Sequence, residues 1–159
     1  PRQAHKRWPE ERFAFLVREL RRCAILPVLT WGPTEEEMVR RILDRSGGEG
    51  IPAPPLSLLE MRELLASCRC FVGGDTGPMH LAWTQGIPVV ALFGSTDPLI
   101  NGPIGEGHRI LAPAWKAGNP LPRRGDAAVM REISVEDVLD STLAIVGRNT
   151  TKESQAFPC

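Results

Sequence analysis

Apolar residues recur at helical spacing in the stretch WPEERFAFLVRELRR, where Phe13, Leu16, Val17 and Leu20 fall on one stripe. Pro9 suits a first helical position, and Glu10 and Glu11 favour the positive end of the macrodipole, so a helix is expected to begin there. The period then changes. AILPVLTW is a continuous apolar run and reads as a buried strand. GPTEEEMVRRILDR returns to helical spacing, with Thr34 and Glu37 at capping-box distance and Gly47-Gly48 as the stop. The Pro-rich GIPAPPLS leads to a second capping box, Ser57 with Glu60, at the head of LLEMRELLASC. RCFVGG and PVVALFG read as strands flanking a short helix, GPMHLAWTQG, that Gly86 stops. HRIL gives a last strand and SVEDVLDSTLAIVG a last helix, capped by Ser134 with Asp137.

Strands alternating with helices predict parallel βαβ units, hence an α/β fold: a Rossmann-like parallel sheet with helices on both faces. Residues 1–146 form this domain, its first strand expected upstream of the chain, and residues 147–159 read as a frayed tail. Residues 112–132 read as a long irregular loop, and no internal repeat is present. Ligands of such sheets bind outside the carboxyl ends of the strands. That rule selects the loop before Trp8, residues 32–37, residues 73–80 and residues 94–107.

Composition narrows the function class. The chain has 159 residues, 42% hydrophobic and 24% charged, enough for one domain with a core. Lys+Arg and Asp+Glu balance at 19 each, which argues against a nucleic-acid partner. The four cysteines lack zinc-like spacing and favour a reducing, cytoplasmic setting. No apolar run is long enough to span a bilayer and no signal peptide opens the chain. The opening PRQAHKRWPEE, without an initiator Met, reads as a fragment or an excised domain.

The densest turn chemistry is FVGGDTGPMH. Its glycines permit backbone conformations closed to other residues, and Pro78 suits a first helical turn whose free N–H groups point outward. A helix start of this kind suits phosphate, with Thr76 adding a hydroxyl and Asp75 fitting sugar hydroxyls or an N-cap. A capped turn with no ligand explains the same residues equally well. His80, four residues after Thr76, shares its helix face; its alternative is a buried histidine bonded to backbone. Lys6, in HKRWP, could pair with a diphosphate as a compact charge or be a solvated surface lysine. Of Glu35, Glu36 and Glu37, one is spent on the capping box and another could accept from ribose hydroxyls, against plain macrodipole stabilisation. GSTDPLINGPIG could line a pocket or form a structural turn at Asp97-Pro98. Neither G-x-G-x-x-G nor G-x-x-x-x-G-K-[ST] is present, which lowers the case for a dinucleotide or P-loop enzyme.

Taken in order, KRWPEERFAFLVREL, WGPTEEE, SLLEMRELLASCRCFVGGDTGPMHLAWTQGIPVVALFGSTDP and GPIGEGHRIL resemble the carboxyl-terminal half of glycosyltransferase family 9, the ADP-heptose:lipopolysaccharide heptosyltransferase family. The resemblance covers roughly residues 5–146. It implies the GT-B architecture, with two Rossmann-like domains and the active site between them. It further implies a donor-binding domain of an inverting glycosyltransferase of lipopolysaccharide core assembly. Lys6 with Thr76 and Gly77 would hold the diphosphate, Glu36 or Glu35 the ribose, and residues around Leu56 the adenine. Asp75 and His80 would face the sugar and diphosphate. No metal or other cofactor is implied. The catalytic base and the lipopolysaccharide core acceptor belong to an amino-terminal domain, so the chain alone would bind donor without transferring it. The full-length enzyme would be cytoplasmic, with peripheral membrane association at the inner face. Residues 112–132 depart from the family by lacking the Cys-containing segment many members carry. The alternatives are a GT-B enzyme using another nucleotide sugar, and a non-catalytic nucleotide-binding domain that kept the fold.

Overall fold

The computed structural model describes residues 6–113, 115 and 128–155, with the side chains of the last helix described as far as Gly147. Helix α1 spans Glu10–Arg22, strand β1 Val28–Leu29, α2 Glu36–Ser46 and β2 Ile51–Pro52. Then come α3 Leu58–Ala66, β3 Phe71–Gly74, α4 Gly77–Thr84, β4 Val89–Leu92, the short α5 Pro98–Asn101, β5 Arg109–Leu111 and α6 Val135–Gln155.

All strand pairs among the described residues are parallel. β3, β4 and β5 form one ladder in that order, with Gly74 opposite Leu92 and Leu92 opposite Leu111. β1 and β2 form a second, Val28 opposite Ile51. The single sheet expected from the sequence is thus found as two ladders, and no described strand joins them.

β4 shows why its sequence is a continuous apolar run: every residue of Val89–Leu92 is buried, because helices cover both faces. Val90 and Leu92 point to a core built with Trp8, Leu16, Leu20, Met130, Ile133, Val138 and Ile145, from α1, α6 and their approaches. Val89 and Ala91 point the other way, onto Met61, Leu65, Met79 and Ala82 of α3 and α4, joined by Phe93. A smaller cluster, Ala14, Val17 and Ile42, seals α1 against α2.

Of the two expected capping boxes one forms, and the expected Ser134 cap forms as well. Ser57 N–H donates to Glu60 Oε2 at 2.7 Å while Glu60 N–H donates to Ser57 Oγ at 3.3 Å. Ser134 Oγ accepts from Asp137 N–H at 3.0 Å and donates to Asp137 Oδ2 at 2.6 Å. The Thr34–Glu37 box does not form. α2 starts later, with Glu35 at its N-cap and no side-chain cap, and Glu37 turns outward to Arg40 at 3.3 Å. Pro9 stands one residue before the first helical position, and Gly86 (φ 75°) ends α4 as expected.

The last helix continues past Gly147 to Gln155, through residues that read as tail. Within 112–132, residues Val129–Glu132 make a 3-10 turn; residues 116–127, the upstream segment 1–5 and the final 156–159 lie outside the described residues. No helix among the described residues is long and apolar enough to cross a membrane. Cys23, Cys68 and Cys70 are free thiols, and burial pushes the Cys70 thiol up to about 12, which keeps it protonated and unreactive.

Candidate functional site

The site is built where three connections meet at the carboxyl end of β3 and β4. β3 ends at Gly74 and α4 begins at Gly77, so Asp75 and Thr76 occupy a two-residue turn. The loop after β4 brings Thr96 beside it, and the segment before α1 brings Lys6. Lys6 is positioned by Trp8, two residues on. Trp8 is 2% exposed, its indole N–H donates to the Ile133 carbonyl at 3.0 Å, and its ring meets Phe13 edge-on, centroids 4.9 Å apart. The Arg12 guanidinium donates to the same carbonyl. Gly74 allows the final approach: a Cβ there would lie 3.0 Å from the Lys6 carbonyl oxygen.

Asp75 is the hub. Its side chain is 8% exposed; Lys6 Nζ lies 2.9 Å from Oδ2 and His80 Nε2 3.1 Å from Oδ1. Burial works against its charge, but hydrogen bonds from Lys6, His80 and the Thr96 hydroxyl outweigh it and hold the carboxyl below its ordinary value. Asp75 is therefore an ionised acceptor, and His80 Nε2 is the donor in their contact.

Thr76 takes extended backbone at the N-cap of α4, and its hydroxyl donates to the Gly74 carbonyl at 3.2 Å instead of capping the helix. The first turn closes with His80 N–H on the Thr76 carbonyl. Pro78 has no N–H, so the Gly77 and Met79 N–H groups are the unspent donors of this turn. A Cβ on Gly77 would meet nothing within 4 Å, and its φ is not in the left-handed region. Nothing within the described chain requires glycine there; the open space lies in front of the helix N-terminus, where an anion would sit.

A second group lies at the start of α2. Glu35 accepts from Gly32 N–H at 3.0 Å and from Arg7 Nη2 at 3.2 Å. Burial raises its carboxyl, and hydrogen bonding, with the Gly32 amide and Arg7 among the contributors, brings it below the ordinary value. Since Arg7 follows Lys6 directly, the two groups are contiguous. Glu36 instead points to solvent, 64% exposed and 3.4 Å from Arg40. Leu56 is half-buried against the core cluster of Met61, Met79 and Phe93. Lys6, Asp75, Thr76, Gly77 and His80 thus come together, Glu35 stands next to them through Arg7, and Glu36 stays apart.

Thr96, Arg7 and Trp83 were not singled out by sequence reasoning. Thr96 sits in GSTDP, whose regular turn residues were the available signal, and Arg7 adjoins Lys6. Trp83 fastens the loop beyond Thr96, its indole N–H donating to the Ile104 carbonyl at 3.0 Å. Asp97 is structural: it caps α5 by accepting from Leu99 N–H at 2.8 Å. Among the described residues no three His, Cys, Asp or Glu side chains converge as metal ligands.

The model of glycosyltransferase family 9 (heptosyltransferase) matches residues 1–120. The chain belongs to that family. Lipopolysaccharide heptosyltransferase 1 of Escherichia coli K12 is 32% identical over 106 residues, which is 66% of this chain and 33% of that protein. Among solved structures, a family 9 glycosyl transferase from Veillonella parvula superposes with a TM-score of 0.78 at 26% identity, covering 91% of this chain and 43% of the other. The Escherichia coli heptosyltransferase WaaC, solved with ADP, gives a TM-score of 0.71 at 26% identity, covering 88% and 40%. The family 9 chain described here thus spans about a third to two fifths of the length of these relatives, and its parallel α/β fold is that of their GT-B-type structures.

Proposed function

We propose that this chain is the nucleotide-sugar-binding half, carboxyl-terminal in the complete protein, of an inverting heptosyltransferase-like enzyme of lipopolysaccharide core assembly, with ADP-heptose or a close analogue as donor. The observation that carries this reading is the convergence of Lys6, Asp75 and His80 with an open helix start at Gly77, whose missing side chain serves no contact with the described residues. WaaC, the relative solved with ADP, superposes over most of this chain.

In this reading the Lys6 ammonium and the Gly77 and Met79 N–H groups receive the diphosphate, and Thr76 turns its hydroxyl from Gly74 towards it. Glu35, already ionised and oriented by Arg7, accepts the ribose hydroxyls; the half-buried Leu56 region takes the adenine. Asp75 orients Lys6 and His80 and faces the sugar. Transfer with inversion needs a base for the acceptor hydroxyl and stabilisation of the departing diphosphate. Lys6 and the α4 donors supply the second without a protein-held metal. The base and the acceptor site belong to the other half of the enzyme, so the chain alone binds donor and transfers nothing.

Isothermal titration with ADP tests the reading. Wild type should bind measurably, and Lys6→Ala and Thr76→Ala should each bind more weakly, by about 1–3 kcal/mol for the charged hydrogen bond removed. A folded chain that does not bind ADP would overturn it.

A further inference from the structure

We propose that binding of a nucleoside diphosphate-sugar at this site is coupled to the uptake of one proton from solvent by His80. The inference rests on the donor-site reading above and adds to it a charge change that the reading does not require.

In the unliganded chain Asp75 already has an ion-pair partner. Its single negative charge faces the Lys6 ammonium, 2.9 Å away from the segment before α1, and the His80 imidazole, 3.1 Å away from α4. The loop after β4 contributes only the neutral Thr96 hydroxyl, and on α4 itself the neighbour of His80 is the Trp83 ring, 6.4 Å between centroids. Arg7, the residue after Lys6, turns instead to Glu35 at 3.2 Å. Among the described residues, Lys6 is the ammonium or guanidinium group that stands against Asp75.

A diphosphate diester brings two negative charges to the open space before Gly77 and must share Lys6 with Asp75. Lys6 cannot neutralise both, and among the described groups around Asp75 the His80 imidazole is the one with a free ring nitrogen on which a compensating proton can be held. His80 is disposed to accept the proton. Its Nε2–H donates to the ionised Asp75, so Nδ1 carries the lone pair, and no hydrogen bond from a described residue occupies Nδ1. Protonation at Nδ1 breaks no contact and turns an acceptor into a second donor beside the ligand. The side chain is 40% exposed, so the proton has a path from solvent.

The sign follows from linkage. The complex holds more protons than the free chain, so affinity rises as pH falls through the imidazole range and reaches a plateau below it. Asp75 does not reverse this at mildly acid pH, because its carboxyl stays ionised.

The test uses ADP-ribose as probe, since its diphosphate is a diester with no ionisation near neutrality. Its binding enthalpy is measured calorimetrically in buffers of different ionisation enthalpy. Wild type should take up a fraction of a proton, at most about one, near pH 7, and bind about fivefold or more tightly at about pH 6 than at about pH 8.5. His80→Gln keeps a donor for Asp75 but cannot titrate, and should bind with no uptake and no pH dependence. His5→Gln and His108→Gln should behave as wild type. In NMR, the His80 ring resonances of wild type should move towards the imidazolium position when ADP-ribose is added at pH 7, a readout that holds even if His80→Gln fails to fold. Binding without proton uptake, uptake that survives His80→Gln, or uptake lost in His5→Gln or His108→Gln would overturn the proposal while leaving the donor site intact. No binding of ADP-ribose at any pH would overturn both.

Discussion

Lys6 and Asp75, 69 positions apart in the chain, meet at 2.9 Å and tie the segment before α1 to the turn that starts α4. The contact ties two parts of the fold together, and pH tests how much of its strength is charge. Because the Asp75 carboxyl is held below its ordinary value in the folded chain, its contribution to stability is complete above the unfolded value, about 3.9, and is lost as pH falls through the lower folded one. Asp75→Asn should be less stable than wild type in urea at pH 7. The difference should shrink as pH falls below the unfolded value and wild type loses the same charge. An undiminished difference at acid pH would mean that Asp75 acts through something other than its charge.

Glu35 and Glu36 are neighbours with opposite environments, one held by Gly32 and Arg7, the other in solvent against Arg40. Glu35→Gln should weaken ADP binding by about 1–2 kcal/mol, whereas Glu36→Gln should change it by less than about 0.5 kcal/mol. Calorimetry on the two variants checks this, and the reverse order would move the ribose contact to Glu36.

Gly77 and Gly74 should respond differently to alanine. At Gly77 the added methyl meets no atom of the described chain, and alanine is the better helix former. Gly77→Ala should therefore unfold at the same or higher denaturant concentration while binding ADP several-fold more weakly. At Gly74 the methyl would press on the Lys6 carbonyl 3.0 Å away, so Gly74→Ala should lose both stability and ADP affinity. A Gly77→Ala chain that keeps full affinity would remove the close approach of ligand to this backbone.

Trp8 is the support for Lys6. Trp8→Phe keeps much of the apolar ring but leaves the Ile133 carbonyl without the indole donor, and should cost about 1–2 kcal/mol in urea unfolding. Trp8→Ala should cost about 3–5 kcal/mol, because the ring is almost wholly enclosed by the α1–α6 core.

Much of this was legible in the sequence because it depends on local chemistry. The apolar run of β4, the capping box at Ser57, the cap at Ser134 and the stop at Gly86 each follow from residues a few positions apart. Asp75, Thr76 and His80 were legible as a turn and first helical turn for the same reason. Lys6 was harder: nothing in HKRWP shows that it faces Asp75, and only the resemblance to the family placed it at the diphosphate. Non-local competition decided the rest. Thr34 lost its capping role because Glu35 and Glu37 took other partners, Gly32 and Arg40. The choice between Glu35 and Glu36 turns on Arg7, 28 positions before Glu35 and next to the buried Trp8. Thr96 could not be read as an Asp75 ligand without the β3–β4 register that sets their loops side by side.

In the proposed function the β3–α4 turn and Lys6 together hold a nucleoside diphosphate. Isothermal titration of the full chain with ADP tests it most directly, with folding of every variant confirmed by circular dichroism. The expected result is measurable binding by wild type and weaker binding by both Lys6→Ala and Thr76→Ala. A folded wild-type chain with no detectable binding, or binding that neither substitution weakens, would contradict it.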